Sequence, residues 1–252
     1  MLLLVLAVGA GCSSGFKEDP ILVLSSAEAL EEGKKLMEKN NYRLAREYLT
    51  HAFEIEPNSI GGREALLLAA DAYFLQGGPE NLIRAESKYR DFQTRFPTSQ
   101  RAGYVQFQIA ECLSQRVEKP DRDQSSTRKA LLEYQTIIEL YPTSQYVQQA
   151  ADGIVTLRQL LAAHELQIGR FYMRYGNLNG ARTRLEFVLE NFPDFEHRDH
   201  ALFLLGMTYH RSRQDEESAT TFDQLAREYP ESPFVGKIPE LSRSPAEEAD
   251  VG

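Results

Sequence analysis

The sequence predicts an all-α fold built from five successive helix–turn–helix units. The first observation is a proline after each of five amphipathic runs, where it ends a helix because it lacks an N–H and clashes with the preceding turn. The second is a small residue twelve positions before each proline, which lets two helices cross closely. The prolines are Pro57, Pro97, Pro142, Pro193 and Pro230, and the small residues are Ala45, Ala85, Ala130, Ala181 and Ser218. The composition, with 42% hydrophobic and 26% charged residues, is that of a globular protein.

A second small residue strengthens the repeat in units one, four and five. Gly33, Gly169 and Gly206 lie twenty-four positions before the terminal proline, and Tyr172 and Tyr209 add an aromatic ring three positions later. This arrangement resembles the tetratricopeptide repeat, a helix–turn–helix unit of about 34 residues that stacks on its neighbours into a solenoid. Units two and three match the pattern with extra residues in their turns.

The repeats predict about ten helices in five pairs. The first helices of the pairs are expected near 27–39, 62–76, 100–116, 144–175 and 196–212, and their partners near 43–56, 80–96, 125–141, 178–192 and 214–229. The segment 144–175 is too long for one repeat helix. It is either a single helix that rigidly joins two sub-domains or two helices broken at Gly153.

The chain divides into five expected parts. They are a signal peptide over 1–11, a lipidated linker over 12–26, repeat units one to three over 27–142, the long helix with units four and five over 143–235, and a tail over 236–252. The tail carries Pro, Ser and acidic residues without helical periodicity, which predicts disorder.

The first residues have the pattern of a lipoprotein signal. The apolar run from Met1 to Ala10 is too short to cross a bilayer, which takes about 20 residues, and it is followed by Gly11, Cys12 and Ser13. This order resembles the lipobox of bacterial lipoproteins, in which cleavage before the cysteine leaves that cysteine lipidated. The alternative is an ordinary secretory signal with an incidental cysteine. Under the lipobox interpretation Cys12 carries the lipid, and Ser13 in place of an Asp indicates the outer membrane.

Charge and motifs argue against nucleic-acid binding, metal binding and catalysis. The formal net charge is −9, whereas a nucleic-acid surface needs an excess of Lys and Arg. His197 and His200 share a predicted helical face near several acids, but zinc ligands at recognised spacing are absent. Cys112 is interpreted as a small buried hydrophobe, and the sequence contains no nucleophile elbow or phosphate-binding loop. We therefore expect a non-catalytic binding scaffold with no cofactor and no metal.

Segments in units three and four, and in the long helix between them, are more specific than the repeat pattern. They read Arg128-Lys129-Ala130, Tyr141-Pro142-Thr143-Ser144-Gln145-Tyr146, Glu165 with Phe171-Tyr172, Arg184-Leu185-Glu186 and Asn191-Phe192-Pro193. Together with the lipobox, they resemble the BamD/ComL (YfiO) family of outer-membrane assembly lipoproteins. The resemblance implies a lipid-anchored scaffold on the periplasmic face of the outer membrane. The implied partners are the periplasmic domains of a BamA-like insertion protein, other assembly lipoproteins, and unfolded barrel precursors with an aromatic C-terminal end.

Two sets of binding residues follow from the repeat register and from this resemblance. The first helices of tetratricopeptide units line a groove, and the expected precursor groove contains Lys34, Met37, Asp71, Tyr73, Phe74, Tyr104, Phe107 and Glu111. Tyr73 and Phe107 have an alternative role in packing between repeats, because apolar positions with helical periodicity often mark a buried face. The resemblance assigns the BamA contact to Arg184, with Glu186 beside it. The alternative is that Arg184 forms an intrachain ion pair, for example with Glu190.

Two other functions remain as alternatives. One is a tetratricopeptide adaptor lipoprotein of another envelope system, of the Tol-Pal/CpoB type or linked to peptidoglycan; the CpoB type usually carries an N-terminal coiled coil, and none is visible here. The other is a lipoprotein hydrolase, which would need a nucleophile–base pair that the sequence does not offer. Association with BamA or with Tol components in a pull-down would separate the assembly scaffold from the adaptor.

Overall fold

The structure, a computed structural model, describes residues 19–240 of the chain. These residues form ten α-helices and one short 3-10 turn, with no β-strand among them, which confirms the all-α prediction. The helices are α1 Ser26–Glu38, α2 Tyr42–Ile55, α3 Ile60–Gln76, α4 Pro79–Arg95, α5 Ala102–Ser114, α6 Ser125–Leu140, α7 Val147–Arg174, α8 Leu178–Asn191, α9 Arg198–Arg211 and α10 Asp215–Glu228. Every helix end lies within about three residues of its predicted position. The predicted signal peptide and Cys12 lie outside the described residues.

Contacts between helices group the chain into two compact units. The first unit ends at Gly77 and contains α1 to α3, and the second begins at Gly78 and contains α4 to α10. Within each unit, helices that follow one another in sequence pack together. The predicted division after residue 142 falls inside the second unit, between α6 and α7, which are in contact.

Small side chains bring the helices of the first unit close together. Its core contains Ala29, Leu30, Ala45, Leu49, Ala52, Ala65 and Ala69. A Cβ added at Gly33 would lie 2.7 Å from the Leu49 side chain, so a larger residue there would force α1 and α2 apart. The start of α1 is fixed by a capping box, in which Ser25 and Glu28 each accept a hydrogen bond from the backbone N–H of the other.

The second unit contains the long helix α7, which is continuous over 28 residues from Val147 to Arg174. At 1.5 Å per residue it is about 42 Å long. Gly153 lies inside the helix and not at a break. The absence of a side chain there lets α6 pack closely, since a Cβ would lie 2.7 Å from the Tyr134 ring. Further along, a Cβ at Gly169 would lie 2.9 Å from Leu185 of α8. The two halves of α7 therefore pack against different helices, α6 first and α8 second.

Ordered structure continues past the predicted start of the C-terminal tail. Residues 235–237 form the 3-10 turn, and Ile238 packs partly buried against the core of α9 and α10. Just before it, the Phe234 ring stacks on His200 with a centroid distance of 4.5 Å and on Phe203 at 5.1 Å. The prediction of disorder from residue 236 is corrected for 236–238, because isolated apolar side chains can be buried without any periodicity in the sequence. The part of the tail after residue 240 lies outside the described residues.

The contact of His200 with Phe234 predicts a loss of stability in acid. Burial lowers the pKa of His200, and the positive charge of Arg170 lowers it further, while Asp199 works in the opposite direction. As pH falls below the ordinary histidine pKa of about 6.5, His200 therefore takes up a proton in the unfolded chain before it does so in the folded chain. The stability that is present above pH 6.5 is lost as pH falls through the lowered pKa of the folded state. A His200→Gln variant should show a smaller decrease in melting temperature between pH 7.5 and pH 5.5 than the unaltered protein.

His197→Gln is the matched control for this measurement, because His197 is exposed next to the same helix. This control should retain the pH dependence of the unaltered protein. An identical decrease in melting temperature for the unaltered protein and His200→Gln would show that His200 does not contribute.

Candidate binding surfaces

In the first unit, Lys34 and Met37 take part in the packing of the helices. The Lys34 ammonium lies 3.3 Å from the Glu31 carboxylate and 3.1 Å from that of Glu64 on α3. Burial acts to lower the pKa of Lys34, but hydrogen bonds to Glu64 and Glu31 outweigh it, so the pKa is raised. Met37 is partly buried against the core of the unit. The charge that Lys34 was expected to offer to a precursor is thus already compensated by two acids.

Tyr73 on α3 lines an open cleft of about 460 Å³ in the first unit. The Arg46 guanidinium lies 4.2 Å from the centroid of the Tyr73 ring, a cation–π contact that holds the ring in place. The remaining predicted groove residues of α3, Asp71 and Phe74, are partly buried and do not line this cleft. Of the five groove residues predicted in this unit, Tyr73 is the one that lines this cleft.

In the second unit, Phe107 and Glu111 are engaged with neighbouring helices. The Phe107 ring stacks on Tyr146 with a centroid distance of 4.7 Å and an interplanar angle of 16°. The Tyr134 hydroxyl donates a hydrogen bond to the Glu111 carboxylate. Burial, followed by this hydrogen bond, raises the pKa of Tyr134. The remaining member of the row, Tyr104, lines a second open cleft of about 520 Å³.

Arg184 forms an ion pair between two helices. Its guanidinium lies 2.8 Å from the carboxylate of Glu165 on α7, and the side chains are 42% and 12% exposed, respectively. The acidic partner is therefore Glu165 and not the Glu190 that sequence reasoning offered. Because Glu165 is nearly buried while Arg184 is not, the pair directs the guanidinium and leaves part of it open to solvent.

Glu186 is also positioned by a tertiary contact. The Tyr209 hydroxyl of α9 donates a hydrogen bond of 2.8 Å to the Glu186 carboxylate. Burial, and then this hydrogen bond, raise the pKa of Tyr209 to about 12. Arg182, one helical turn before Glu186, lies 3.8 Å from the same carboxylate. Glu186 is thus held between α8 and α9, with its side chain 38% exposed.

Phe171 near the end of α7 and Tyr175 just after it form an exposed aromatic pair that sequence reasoning did not identify as a surface. Phe171 and Tyr175 are 55% and 70% exposed, and their ring centroids lie 4.6 Å apart. Phe171 follows Gly153 by eighteen residues, or five helical turns, so both lie on one face of α7. That face is covered by Tyr134 at Gly153 and is open at Phe171. The sequence shows the spacing of Gly153 and Phe171, but it does not show where the neighbouring helix stops covering this face.

A charged network between α4, α6 and the turn after α5 was also missed. Arg90 lies 3.0 Å from Glu86 and 2.7 Å from Glu133, and Arg116 forms an ion pair with Glu86. Burial acts to lower the pKa of Arg90, but the hydrogen bond and charge of Glu133 outweigh it and the pKa is raised. The network connects α4 and α6 with the turn that follows α5, which indicates a structural role.

Within residues 19–240, no group of three or more His, Cys, Asp and Glu side chains is arranged to hold a metal ion. The helices of that part of the chain include none that is long and apolar enough to cross a membrane. Cys112 is fully buried, and burial raises the pKa of its thiol to about 12. A thiol protonated at neutral pH is a poor nucleophile.

Comparison with known proteins gives one family match. A family model named YfiO and described as "Outer membrane lipoprotein" matches residues 24–221. The chain is similar to proteins named "Outer membrane protein assembly factor BamD" in several bacteria. The one from Haemophilus influenzae is 27% identical over 83% of this chain and 82% of its own length. Those from Rickettsia prowazekii and Caulobacter vibrioides are 26% and 25% identical and cover 92% and 90% of this chain, and 90% and 74% of their own lengths.

Two tetratricopeptide-repeat proteins are among the solved structures to which the chain is similar. One is YrrB, described as having an unusual peptide-binding site, with a TM-score of 0.35 and 15% identity over 84% of this chain and 90% of its own. Another is a tetratricopeptide repeat protein from Parabacteroides merdae, with a TM-score of 0.38 and 14% identity over 86% of this chain and 98% of its own.

Proposed function

Because the chain belongs to the YfiO family of outer membrane lipoproteins, we propose that it acts in outer-membrane protein assembly by binding the periplasmic domains of a BamA-like insertion protein. The protein is a non-catalytic tetratricopeptide scaffold. The relatives named as outer membrane protein assembly factors support the role in assembly. The BamA-like partner and the residues that bind it are proposed from the geometry of the second unit.

The observation that carries the proposal is the position of Arg184. Its nearly buried partner Glu165 orients the guanidinium, while 42% of the Arg184 side chain is still exposed. A guanidinium group that is already held in place before the partner binds loses less conformational entropy on binding than a guanidinium on a mobile side chain. Glu186 is fixed in the same manner by Tyr209. The two side chains offer a donor and an acceptor on one helix of the unit.

The same proposal covers the membrane anchor and the other partners. Lipidation at Cys12 would hold the protein on the periplasmic face of the outer membrane, and the lipobox pattern supports this. Unfolded barrel precursors and other assembly lipoproteins are the further partners, for which the open clefts at Tyr73 and Tyr104 offer candidate surfaces.

Replacing Arg184 by Ala should weaken binding to the isolated BamA periplasmic domains by about 2 kcal/mol, or roughly 30-fold in Kd, because truncation of an arginine at an interface centre typically costs this much. Arg182→Ala is the matched control, since Arg182 is 38% exposed and lies 3.8 Å from its acidic partner Glu186. Pairs of this kind contribute about 0–1 kcal/mol. Binding is measured by calorimetry, and thermal melting is recorded for each variant.

A second variant separates binding from stability. Arg184→Ala leaves Glu165 nearly buried without its counter-ion, which by itself destabilises the fold. In the double variant Arg184→Ala/Glu165→Gln the buried charge is absent, so the melting temperature should recover while the binding defect persists. Recovery of binding along with stability would contradict a direct role of Arg184. A pull-down that captures Tol components and no BamA would favour the adaptor function instead.

A further inference from the structure

We propose that an exposed surface at the C-terminal end of α7 binds the headgroups of anionic phospholipids, so that this side of the second unit contacts a membrane. The proposal rests on the proposed function, because the lipid at Cys12 would hold the protein close to a bilayer. It goes beyond that function by giving the folded part of the chain a membrane contact of its own. The α7-end surface consists of Gln167, Arg170, Phe171, Arg174 and Tyr175.

The exposed side chains in the last three turns of α7 all lie on one side of the helix. Among residues 166–175, the exposed positions are the five of the α7-end surface, and the other five are buried or partly buried. At 3.6 residues per turn, the exposed positions fall within an arc of about 140°. Gly169 lies on the opposite side, where α7 packs closely against Leu185 of α8. The surface is therefore one continuous face of a single helix.

The charge of this region is opposite to that of the whole chain. The formal net charge is −9, yet the stretch 166–185 contains four arginines and no Asp or Glu. Arg170 and Arg174, which belong to the α7-end surface, are exposed, and neither forms an ion pair within residues 19–240. Their positive charges are therefore available to an anion from outside the chain.

The end of α7 does not oppose an anion as a free helix C-terminus would. The last carbonyl groups of a helix carry partial negative charge when they have no hydrogen-bond donor. In α7, the Phe171 carbonyl accepts a hydrogen bond of 3.1 Å from the Tyr175 N–H, and the Met173 carbonyl accepts one of 3.3 Å from the Gly176 N–H. The Arg211 guanidinium of α9 also donates to the Met173 carbonyl at 2.9 Å. Arg211 thus compensates the helix end and places a third positive charge beside the surface.

The aromatic pair of the surface suits the boundary between headgroups and acyl chains. Phe171 and Tyr175 lie on the same arc as Arg170 and Arg174, with ring centroids 4.6 Å apart. Aromatic side chains are enriched at this boundary, because a ring enters the apolar layer while a tyrosine hydroxyl stays in contact with water. Arginine binds phosphate oxygens through paired hydrogen bonds. Arginines beside exposed rings therefore match a phospholipid, in which a phosphate lies next to acyl chains.

A lipid anchor makes a weak surface contact sufficient. The family is described as outer membrane lipoproteins, and a protein tethered through Cys12 meets the bilayer at a high effective concentration. An anionic bilayer attracts clustered arginines and repels the acidic remainder of the chain. The α7-end surface should therefore be the side of the second unit that faces the membrane. Without the anchor the contact should be weak and should decrease with salt.

The first test measures vesicle binding at low salt without the lipid anchor. The chain from residue 12 onward, carrying Cys12→Ser, is sedimented with vesicles of phosphatidylethanolamine that contain phosphatidylglycerol. Adding Arg170→Gln/Arg174→Gln should weaken binding by about 30-fold, because each arginine near an anionic surface contributes roughly fivefold. Vesicles of phosphatidylethanolamine alone should bind the chain far more weakly. Thermal melting of the variant should be unchanged, since both arginines are exposed.

The matched control for this test is Arg122→Gln/Arg227→Gln. It removes the same two charges from exposed positions of the same unit that lie outside the α7-end surface. This control should change vesicle binding by less than about twofold, because charges far from the bilayer are screened.

The second test reports whether the aromatic pair reaches the acyl chains. The chain contains no Trp, so Phe171→Trp introduces a single fluorescent reporter. Its emission should shift to shorter wavelengths on vesicle binding and should be quenched by phospholipids with brominated acyl chains. Phe187→Trp is the control, because Phe187 is 42% exposed on α8, outside the surface. The emission of this control should stay constant.

Three results would overturn the inference. They are equal vesicle binding by the two double variants, equal binding to vesicles with and without phosphatidylglycerol, and unchanged Phe171→Trp emission on vesicle binding. Binding to the isolated BamA periplasmic domains is measured in parallel and should be the same for Arg170→Gln/Arg174→Gln as for the unaltered protein. Loss of BamA binding with unchanged vesicle binding would assign the surface to the protein partner instead. If vesicle binding fails while BamA binding remains, the proposed function stands without the inference.

Discussion

A Cys12→Ser variant is expected to lose palmitate labelling and to move from the membrane fraction to the soluble fraction of the cell envelope. The reason is chemical, because serine offers no thiol for the acyl-glycerol group that a lipobox cysteine receives. The effect should be nearly complete, because under the lipobox interpretation the acyl chains on Cys12 are the anchor.

The second cysteine serves as the control for this experiment. Cys112 is buried in α5, and Cys112→Ser should label with palmitate and partition into detergent like the unaltered protein. Labelling of Cys12→Ser at the level of the unaltered protein would contradict the lipoprotein assignment. It would favour an ordinary secretory signal instead.

Phe222→Ala is expected to lower the free energy of unfolding of the second unit by about 3–5 kcal/mol, the usual cost of truncating a buried Phe. The Phe222 side chain is 1% exposed, and its ring fills the space beside Gly206, where a Cβ would lie 2.5 Å from it. Leu202 and Leu225 complete this part of the core. The loss should be visible in urea unfolding and as a lower melting temperature.

Phe171→Ala is the control of the same chemical type. Phe171 is 55% exposed, so its truncation should change the free energy of unfolding by no more than about 0.5 kcal/mol. Similar losses for the two variants would contradict the packing of α9 against α10. Because repeat arrays can unfold in steps, the comparison should use circular dichroism together with tyrosine fluorescence.

Helix positions were predictable because they depend on a few local residues. A proline ends the helix before it because proline has no N–H to donate and its ring clashes with the preceding turn. Accordingly, α2 ends shortly before Pro57 and α10 shortly before Pro230. The crossing glycines were predictable for a related reason. A missing Cβ at Gly33 or Gly206 is a property of one residue, and its consequence is close approach of the partner helix.

The candidate sites were less predictable because each depends on residues far away in the sequence. For Arg184 the sequence offered an intrachain ion pair as the alternative, with Glu190 as an example. Its partner in the structure, Glu165, lies nineteen residues earlier on another helix. Phe107 and Tyr104 are three residues apart in α5, yet one is stacked on Tyr146 and the other lines a cleft. The periodicity of α5 placed both on one side and could not distinguish them.

The sequence by itself determined the repeat, the helix boundaries and the family, because these follow from backbone chemistry and from the pattern of neighbouring residues. Tertiary structure decided which side chains are available to a partner. Tyr134 closes one face of α7 at Gly153, and five turns later the same face leaves Phe171 open. The physical reason is that helical periodicity defines a face, whereas exposure depends on how far the neighbouring helix extends along it.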